Sequence, residues 1–327
     1  MPILDARSYR CPLLLRGPHR ATIVPNLSRR RLSVAYQRTR VELSDGDFVD
    51  LDTAKFAGGK ADACVVTLHG LEGSSTAPYV KSVVHAVRCS ERSLDVVAMN
   101  LRGCSGELNR KARFYHSGES GDLREVVAYL CGEYERIFLL GFSLGGNVVL
   151  KYVGENLSQV PPQVKACAAV SAPVDLAGSA GRVGESSNGF YMRRFIRLLS
   201  QKIEAKAQLY PDVIDATGCR SMRSFAEFDG IYTAPLSGFA SADDYWEKCS
   251  ARNWLSEIRT PSLLLNAKDD PFLSDSCFPV ELSKRSASLY SCFPDRGGHL
   301  GFPARRVDGC AWHEDLVLRF FDERGAD

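Results

Sequence analysis

A chain of 327 residues, 45% hydrophobic and 24% charged, is long enough to bury a large core and too apolar for disorder to be its default. Its 41 basic residues nearly cancel its 39 acidic ones, and no basic tract exceeds Arg29-Arg30-Arg31, which argues against a nucleic-acid surface. Eleven cysteines, an odd number without a C-x-x-C pair or a His/Cys cluster at zinc spacing, read as reduced thiols of a cytoplasmic protein rather than a disulfide framework.

In chain order, the opening MPILDARSYRCPLLLRGPHR holds only residues 11–15 as an apolar run, too short for a secretion signal. No later run approaches a membrane span, so no integral membrane segment is expected. Residues 34–43 and 48–52 flank the turn-rich Ser44-Asp45-Gly46-Asp47 and predict an antiparallel hairpin. Short apolar runs follow at 64–68 (CVVTL), 96–99 (VVAM), 137–140 (IFLL), 166–170 (ACAAV), 262–265 (SLLL) and 288–293 (SLYSCF). Such unbroken runs suit strands covered on both faces, and the lengths between them suit crossover helices. The expectation is one α/β domain over 1–327 with a doubly wound, mostly parallel sheet, its N-terminal segment and hairpin occupying about 1–55. The rhythm breaks over about 174–255, where FYMRRFIRLLSQKIEAKAQ and an aromatic-rich stretch predict a helical cap insertion between two core strands.

The run IFLLGFSLGGN places Gly141-Phe142-Ser143-Leu144-Gly145 between a strand and a helix-like segment. One reading is a packing turn; the other is a nucleophile elbow, in which the serine hydroxyl stands above the sheet on a turn that Gly141 and Gly145 make sterically possible. The strand-turn-helix context favours the second. A serine nucleophile needs a base and a carboxylate to orient it, following in the order Ser, acid, His at later strand ends. AKDDPF supplies Asp269 and Asp270 after one such strand, and PDRGGHLGF supplies His299 after the next. Asp270 is the better candidate because Pro271 pushes it into an extended conformation. His116, in YHSGE, precedes the elbow and could at most border the site, as could His69 in HGLEG. The developing oxyanion would be held by the Leu144 N–H and, from the early glycine-rich loop, the Leu71 N–H. No Walker lysine, G-x-G-x-x-G after a first strand, or H-E-x-x-H occurs, so neither a cofactor nor a metal is expected.

Beyond the elbow, LLRGPHRATIVP, DGDFVDLD, HGLEGSSTAPY, NLRGCSGELNRKARFYHSGE, CRSMRSFAEFDGIYTAP, AKDDPF and GGHLGF resemble the YheT-like branch of the α/β-hydrolases over nearly the whole chain. The resemblance implies an α/β-hydrolase fold with a Ser143, Asp270, His299 triad. It also implies a serine carboxylesterase acting on a small-molecule or lipid ester with a short or medium acyl chain. Members similar to phospholipases, and others that pass the acyl group to an alcohol, keep lipid hydrolysis and acyl transfer open. A binding module without turnover is the reading from another class. Arg102, Asn109, Tyr115, His116 and Glu119 would form an ordered loop near the site, and Phe190, Phe225, Phe228, Tyr232 and Phe239 of the cap would either enclose the acyl chain or fill the cap's own core.

Overall fold

A computed structural model describes residues 3–6, 8–90, 92–304 and 310–325. Eight strands form one sheet in the order β1-β2-β4-β3-β5-β6-β7-β8. β1 (Gln37–Glu42) and β2 (Phe48–Ala54) make the antiparallel hairpin at one edge, and β2 pairs antiparallel with β4 (Asp95–Asn100). The rest of the sheet is parallel: β3 (Ala63–Leu68), β5 (Arg136–Phe142), β6 (Val164–Val170), β7 (Ser262–Leu265) and β8 (Leu289–Cys292). Each apolar run named from the sequence lies in or over one of these strands. β3 and β4 are buried along their whole length, which explains why the runs are unbroken and not alternating.

Alternate residues of each strand feed two cores. Val65, Ala98 and Leu140 pack with α2 (Pro78–Cys89) and the C-terminal helix. Val66, Met99 and Leu139 pack with α3 (Ser120–Leu130) and α4 (Leu144–Glu155). The chain steps from β3 outward to β4 and then back across to β5, so the order reverses at β3. Ligand sites of open α/β sheets lie at the carboxyl ends of strands at such a reversal.

Before the hairpin runs α1 (Pro18–Arg29), a helix that no local pattern in the sequence announces. Pro25 inside it and the apolar residues on its exposed side hide the usual helical signature. Between β6 and β7 the chain passes through α5 (Leu176–Gly184), α6 (Gly189–Leu209), α7 (Phe225–Phe228), a π-helical turn at Asp229–Thr233, α8 (Ala234–Leu236) and α9 (Ala242–Cys249). Short α10 (Val280–Arg285) precedes β8, and α11 (Trp312–Arg324) closes the chain.

Candidate active site

Ser143 sits between the end of β5 and the first turn of α4 with φ 52° and ψ −122°, a conformation that costs a non-glycine residue strain. The turn is possible only because its neighbours lack side chains. A Cβ on Gly141 would stand 2.2 Å from the Gly145 carbonyl oxygen, and one on Gly145 would stand 2.4 Å from that of Leu68. Asn147, one turn into α4, ties this elbow to its surroundings: its Nδ2 donates to the Ser117 and Cys249 carbonyls, and its Oδ1 accepts from Ala251 N–H.

His299 Nε2 lies 3.0 Å from Ser143 Oγ, and its Nδ1 lies 2.8 Å from Asp270 Oδ2 and 3.1 Å from Oδ1. Asp270 is buried and also accepts from the Phe272 N–H at 2.9 Å. The Phe272 ring packs on the imidazole, centroid to centroid 4.3 Å. Asp269 turns the other way, and its Oδ1 accepts from Gly298 N–H at 2.9 Å, bracing the loop that carries His299. That loop contains two non-glycine residues at positive φ, Leu300 and Phe302, and is held by α1. Thr22 Oγ1 accepts from His299 N–H, while the Arg29 guanidinium donates to the Leu300 and Gly301 carbonyls.

The loop after β3 is equally tied down. Gly70 N–H donates to Tyr79 Oη, Glu72 N–H to Tyr115 Oη, and Gly73 N–H to the Gly70 carbonyl. Tyr115 in turn donates to Glu72, whose carboxylate also meets Lys202 at 2.8 Å. Among the described residues, the N–H groups of Leu71 and Leu144 have no hydrogen-bond partner, and both residues line the cavity that Ser143 enters.

His69 lies beneath this loop, outside the cavity lining. Its Nδ1 donates to the Gly70 carbonyl and its Nε2 accepts from Leu101 N–H, so the ring is neutral. Burial pushes its pKa down to about 4. His116 does line the cavity; burial, then the nearby Arg113, push its pKa down to about 3. Its Nδ1 accepts from Gly118 N–H, leaving Nε2 to face Glu119 at 3.3 Å.

Arg102 and Asn109 form scaffold. Arg102 reaches Asp45, Asp47 and Asp122 from a buried position, and Asn109 donates to Asp47. Tyr115 does both jobs, lining the cavity and holding the loop at Glu72.

The cavity encloses about 780 Å³, its open mouth included, and its walls are mainly apolar. Of the five aromatic residues singled out between β6 and β7, Phe225 alone lines it. Phe228 and Tyr232 pack in the core, Phe239 packs against His116, and Phe190 faces solvent. The wall is instead made by Phe114, Phe195, Phe272, Tyr245 and Trp246, which carry no local signal to distinguish them from core aromatics. An acidic group also lines the cavity: Asp229, in the π-helical turn, accepts from Thr233 Oγ1 and Trp246 Nε1, and burial pushes its pKa up to about 6. Among the described residues, no group of three or more His, Cys, Asp or Glu side chains is placed to hold a metal ion.

The fold is that of an α/β hydrolase, and the comparisons with known proteins agree with that fold. The α/β hydrolase fold family model matches residues 64–303. YheT of Escherichia coli strain K12, which carries a provisional esterase designation, is 36% identical over 305 residues, 92% of this chain and 87% of that protein. A monoacylglycerol lipase of Saccharomyces cerevisiae is 26% identical over 309 residues, 89% of this chain and 67% of the lipase. Among solved structures, the Pyrococcus furiosus esterase Pf2001 superposes with a TM-score of 0.59 over 90% of this chain and 92% of the esterase, at 17% identity, a likeness of fold. The chain belongs to the α/β-hydrolase fold family, in its YheT-like branch.

Proposed function

We propose that the protein is a serine carboxylesterase that hydrolyses carboxylic esters of short or medium acyl chain through an acyl-enzyme on Ser143. The observation that carries this reading is the continuous hydrogen-bonded chain from Asp270 through His299 to Ser143, opening into an apolar cavity. His299 Nε2 takes the Ser143 proton as Oγ attacks the ester carbonyl. Asp270 holds the proton on Nδ1 and stabilises the imidazolium. The free N–H groups of Leu71 and Leu144 receive the oxyanion, a contribution worth roughly 10²–10³ in kcat for each donor. His299 then protonates the departing alcohol, and a water activated by the same ring cleaves the acyl-enzyme.

The helices between β6 and β7 act as a cap in this reading, with Leu176, Val183, Phe195 and Leu199 against the acyl chain. Mainly apolar walls with a few polar groups at the reacting serine suit a small apolar ligand. The name of the yeast lipase relative supports a lipid ester as substrate. The cytoplasm is the compartment we assign, from an odd number of scattered cysteines without a C-x-x-C pair. Among the described residues, no helix is long and apolar enough to cross a membrane.

The test is hydrolysis of p-nitrophenyl esters over a chain-length series by wild type and Ser143→Ala, with fluorophosphonate labelling of both. Activity and labelling that vanish together in the variant support the mechanism, and the preferred chain length sizes the cavity. Folded wild type that neither labels nor turns over any ester would point to a binding module. Ester exchange outpacing hydrolysis when an alcohol is added would make the protein an acyltransferase.

A further inference from the structure

Helix α1 is amphipathic in the opposite sense to a helix on a water-facing surface. Its inward face presents Ala21, Thr22, Pro25 and Arg29, whereas its outward face presents Ile23, Val24 and Leu27, which are 37%, 41% and 49% exposed. In the 3-10 turn just before it, Leu13 and Leu14 are 73% and 84% exposed. At the start of α6, the exposed Phe190 ring packs against His19 of α1 at 5.7 Å and extends the same surface. Five large aliphatic side chains within fifteen residues, all turned to solvent, are more than the scattered apolar residues an ordinary surface carries.

The charge that this segment itself carries has one sign. From residue 6 to residue 41 the sequence holds nine arginines and no aspartate or glutamate. Arg16, Arg20, Arg30 and Arg31 are exposed, and none pairs with a carboxylate among the described residues. Lys81 adds a further cation by donating to the Leu32 carbonyl at 2.6 Å, and Arg193 and Arg194 are exposed beside Phe190. Asp5 and Asp295 share a cleft with Arg10, Arg16 and Arg296 beside the Leu13–Leu15 turn, and there too the arginines outnumber the carboxylates.

We infer that α1 and the Leu13–Leu15 turn form a docking face for an anionic lipid surface. Apolar side chains set among arginines are the composition of a helix that lies in the plane of a membrane interface. The leucines, isoleucine and valine enter the boundary of the acyl region while the guanidinium groups stay at the level of the phosphates. A second copy of this chain fits the face poorly, because a two-fold contact would set arginines against arginines. The inward side of the same helix holds the His299 loop through Thr22 and Arg29, so docking would bring the lipid surface to within about one helix diameter, ~10 Å, of that loop. The inference concerns binding and stands apart from the reaction assigned to Ser143.

The experiment is co-sedimentation of the full chain with phosphatidylcholine vesicles and with vesicles in which part of that lipid is replaced by phosphatidylglycerol, at low and high salt. Wild type should bind the anionic vesicles and release as salt rises. The Arg20→Ala/Arg30→Ala/Arg31→Ala variant should bind roughly a hundredfold more weakly, at about fivefold per arginine. Leu13→Ser/Leu14→Ser should weaken binding by at least about tenfold. All these side chains are exposed, and unchanged melting and hydrolysis of a water-soluble ester would show that the fold and site are intact. Failure of wild type to bind anionic vesicles, equal binding to both vesicle types, or indifference to both variants would overturn the inference. So would a wild-type dimer that the leucine variant splits without any vesicle binding.

Discussion

Asp270 accepts from two donors that a carboxamide cannot both satisfy in the same way. Oδ1 takes the Phe272 N–H at 2.9 Å, and Oδ2 takes His299 Nδ1 at 2.8 Å. In Asp270→Asn the single carbonyl oxygen stays on the buried Phe272 N–H, which puts the NH₂ group where Oδ2 was and makes it donate to Nδ1. The ring proton is then forced onto Nε2, 3.0 Å from Ser143 Oγ, and the imidazole faces the hydroxyl with a donor instead of a base. Flipping the amide would restore the working tautomer but leave the Phe272 N–H unpaired, at a cost of about 1–3 kcal/mol. Losing the carboxylate charge opposite the imidazolium removes a charge-assisted hydrogen bond worth about 1.5–3 kcal/mol more. Together these amount to a fall of roughly 10²–10⁴ in kcat, at 1.36 kcal/mol per tenfold. The assay is initial-rate hydrolysis of the preferred p-nitrophenyl ester, with the rate of fluorophosphonate labelling as a second readout. Asp269→Asn is the control: its amide oxygen can still accept from Gly298 N–H, so kcat should stay within a fewfold. An Asp270→Asn enzyme within fivefold of wild type, or Asp269→Asn as the more damaging change, would refute the reasoning.

Thr22→Val leaves the His299 N–H without its buried acceptor and should cost about 1–3 kcal/mol of stability, with kcat reduced about tenfold and KM little changed. Thr22→Ser should restore both in melting and kinetic measurements. Gly145→Ala drives a Cβ against the Leu68 and His69 carbonyls and should lower stability by about 1–3 kcal/mol or more while slowing labelling of Ser143, read by melting and probe incorporation. Ala180→Phe fills part of the cavity wall and should shift the preferred ester to a shorter acyl chain, leaving the shortest esters turned over as before. His69 is held neutral with a folded pKa of about 4, below its unfolded value near 6.5, so the unfolded chain binds the extra proton between those values. Its contribution is therefore complete above pH 6.5 and lost as pH falls toward 4. Denaturant titrations should show wild type losing about 3 kcal/mol more than His69→Gln between pH 7 and pH 4.

Much of the sheet is legible in the sequence because its signals are local. A strand covered on both faces must be apolar at consecutive positions, and β3, β4, β5 and β6 are written that way. The elbow is legible for a similar reason: a serine at φ 52° between closely packed backbones needs glycines at fixed offsets, whatever lies elsewhere. His299 follows from the glycines before it and its place after a strand.

Other features depend on partners far away in the chain. Which of two adjacent aspartates meets His299 turns on the loop geometry across 29 residues. Leu71 N–H is left free only because Tyr79 and Tyr115 occupy its neighbours, and an aromatic residue's place in the cavity wall or the core depends on how α5 to α9 fold back over the sheet. The role of α1 was the least readable. Its contact with His299 spans 277 residues, and Thr22 and Arg29 look like surface residues until the loop they hold is folded against them. The sequence by itself determined the strands, the elbow and the order of the serine, acid and histidine, because steric and burial requirements there repeat over a few residues. Tertiary structure alone decided the cavity wall and the helix that braces the histidine, and it brought Asp270 and the Leu71 and Leu144 N–H groups, already candidates in the sequence, to their places around Ser143 and His299, because a hydrogen bond is specified by where its partner ends up in space.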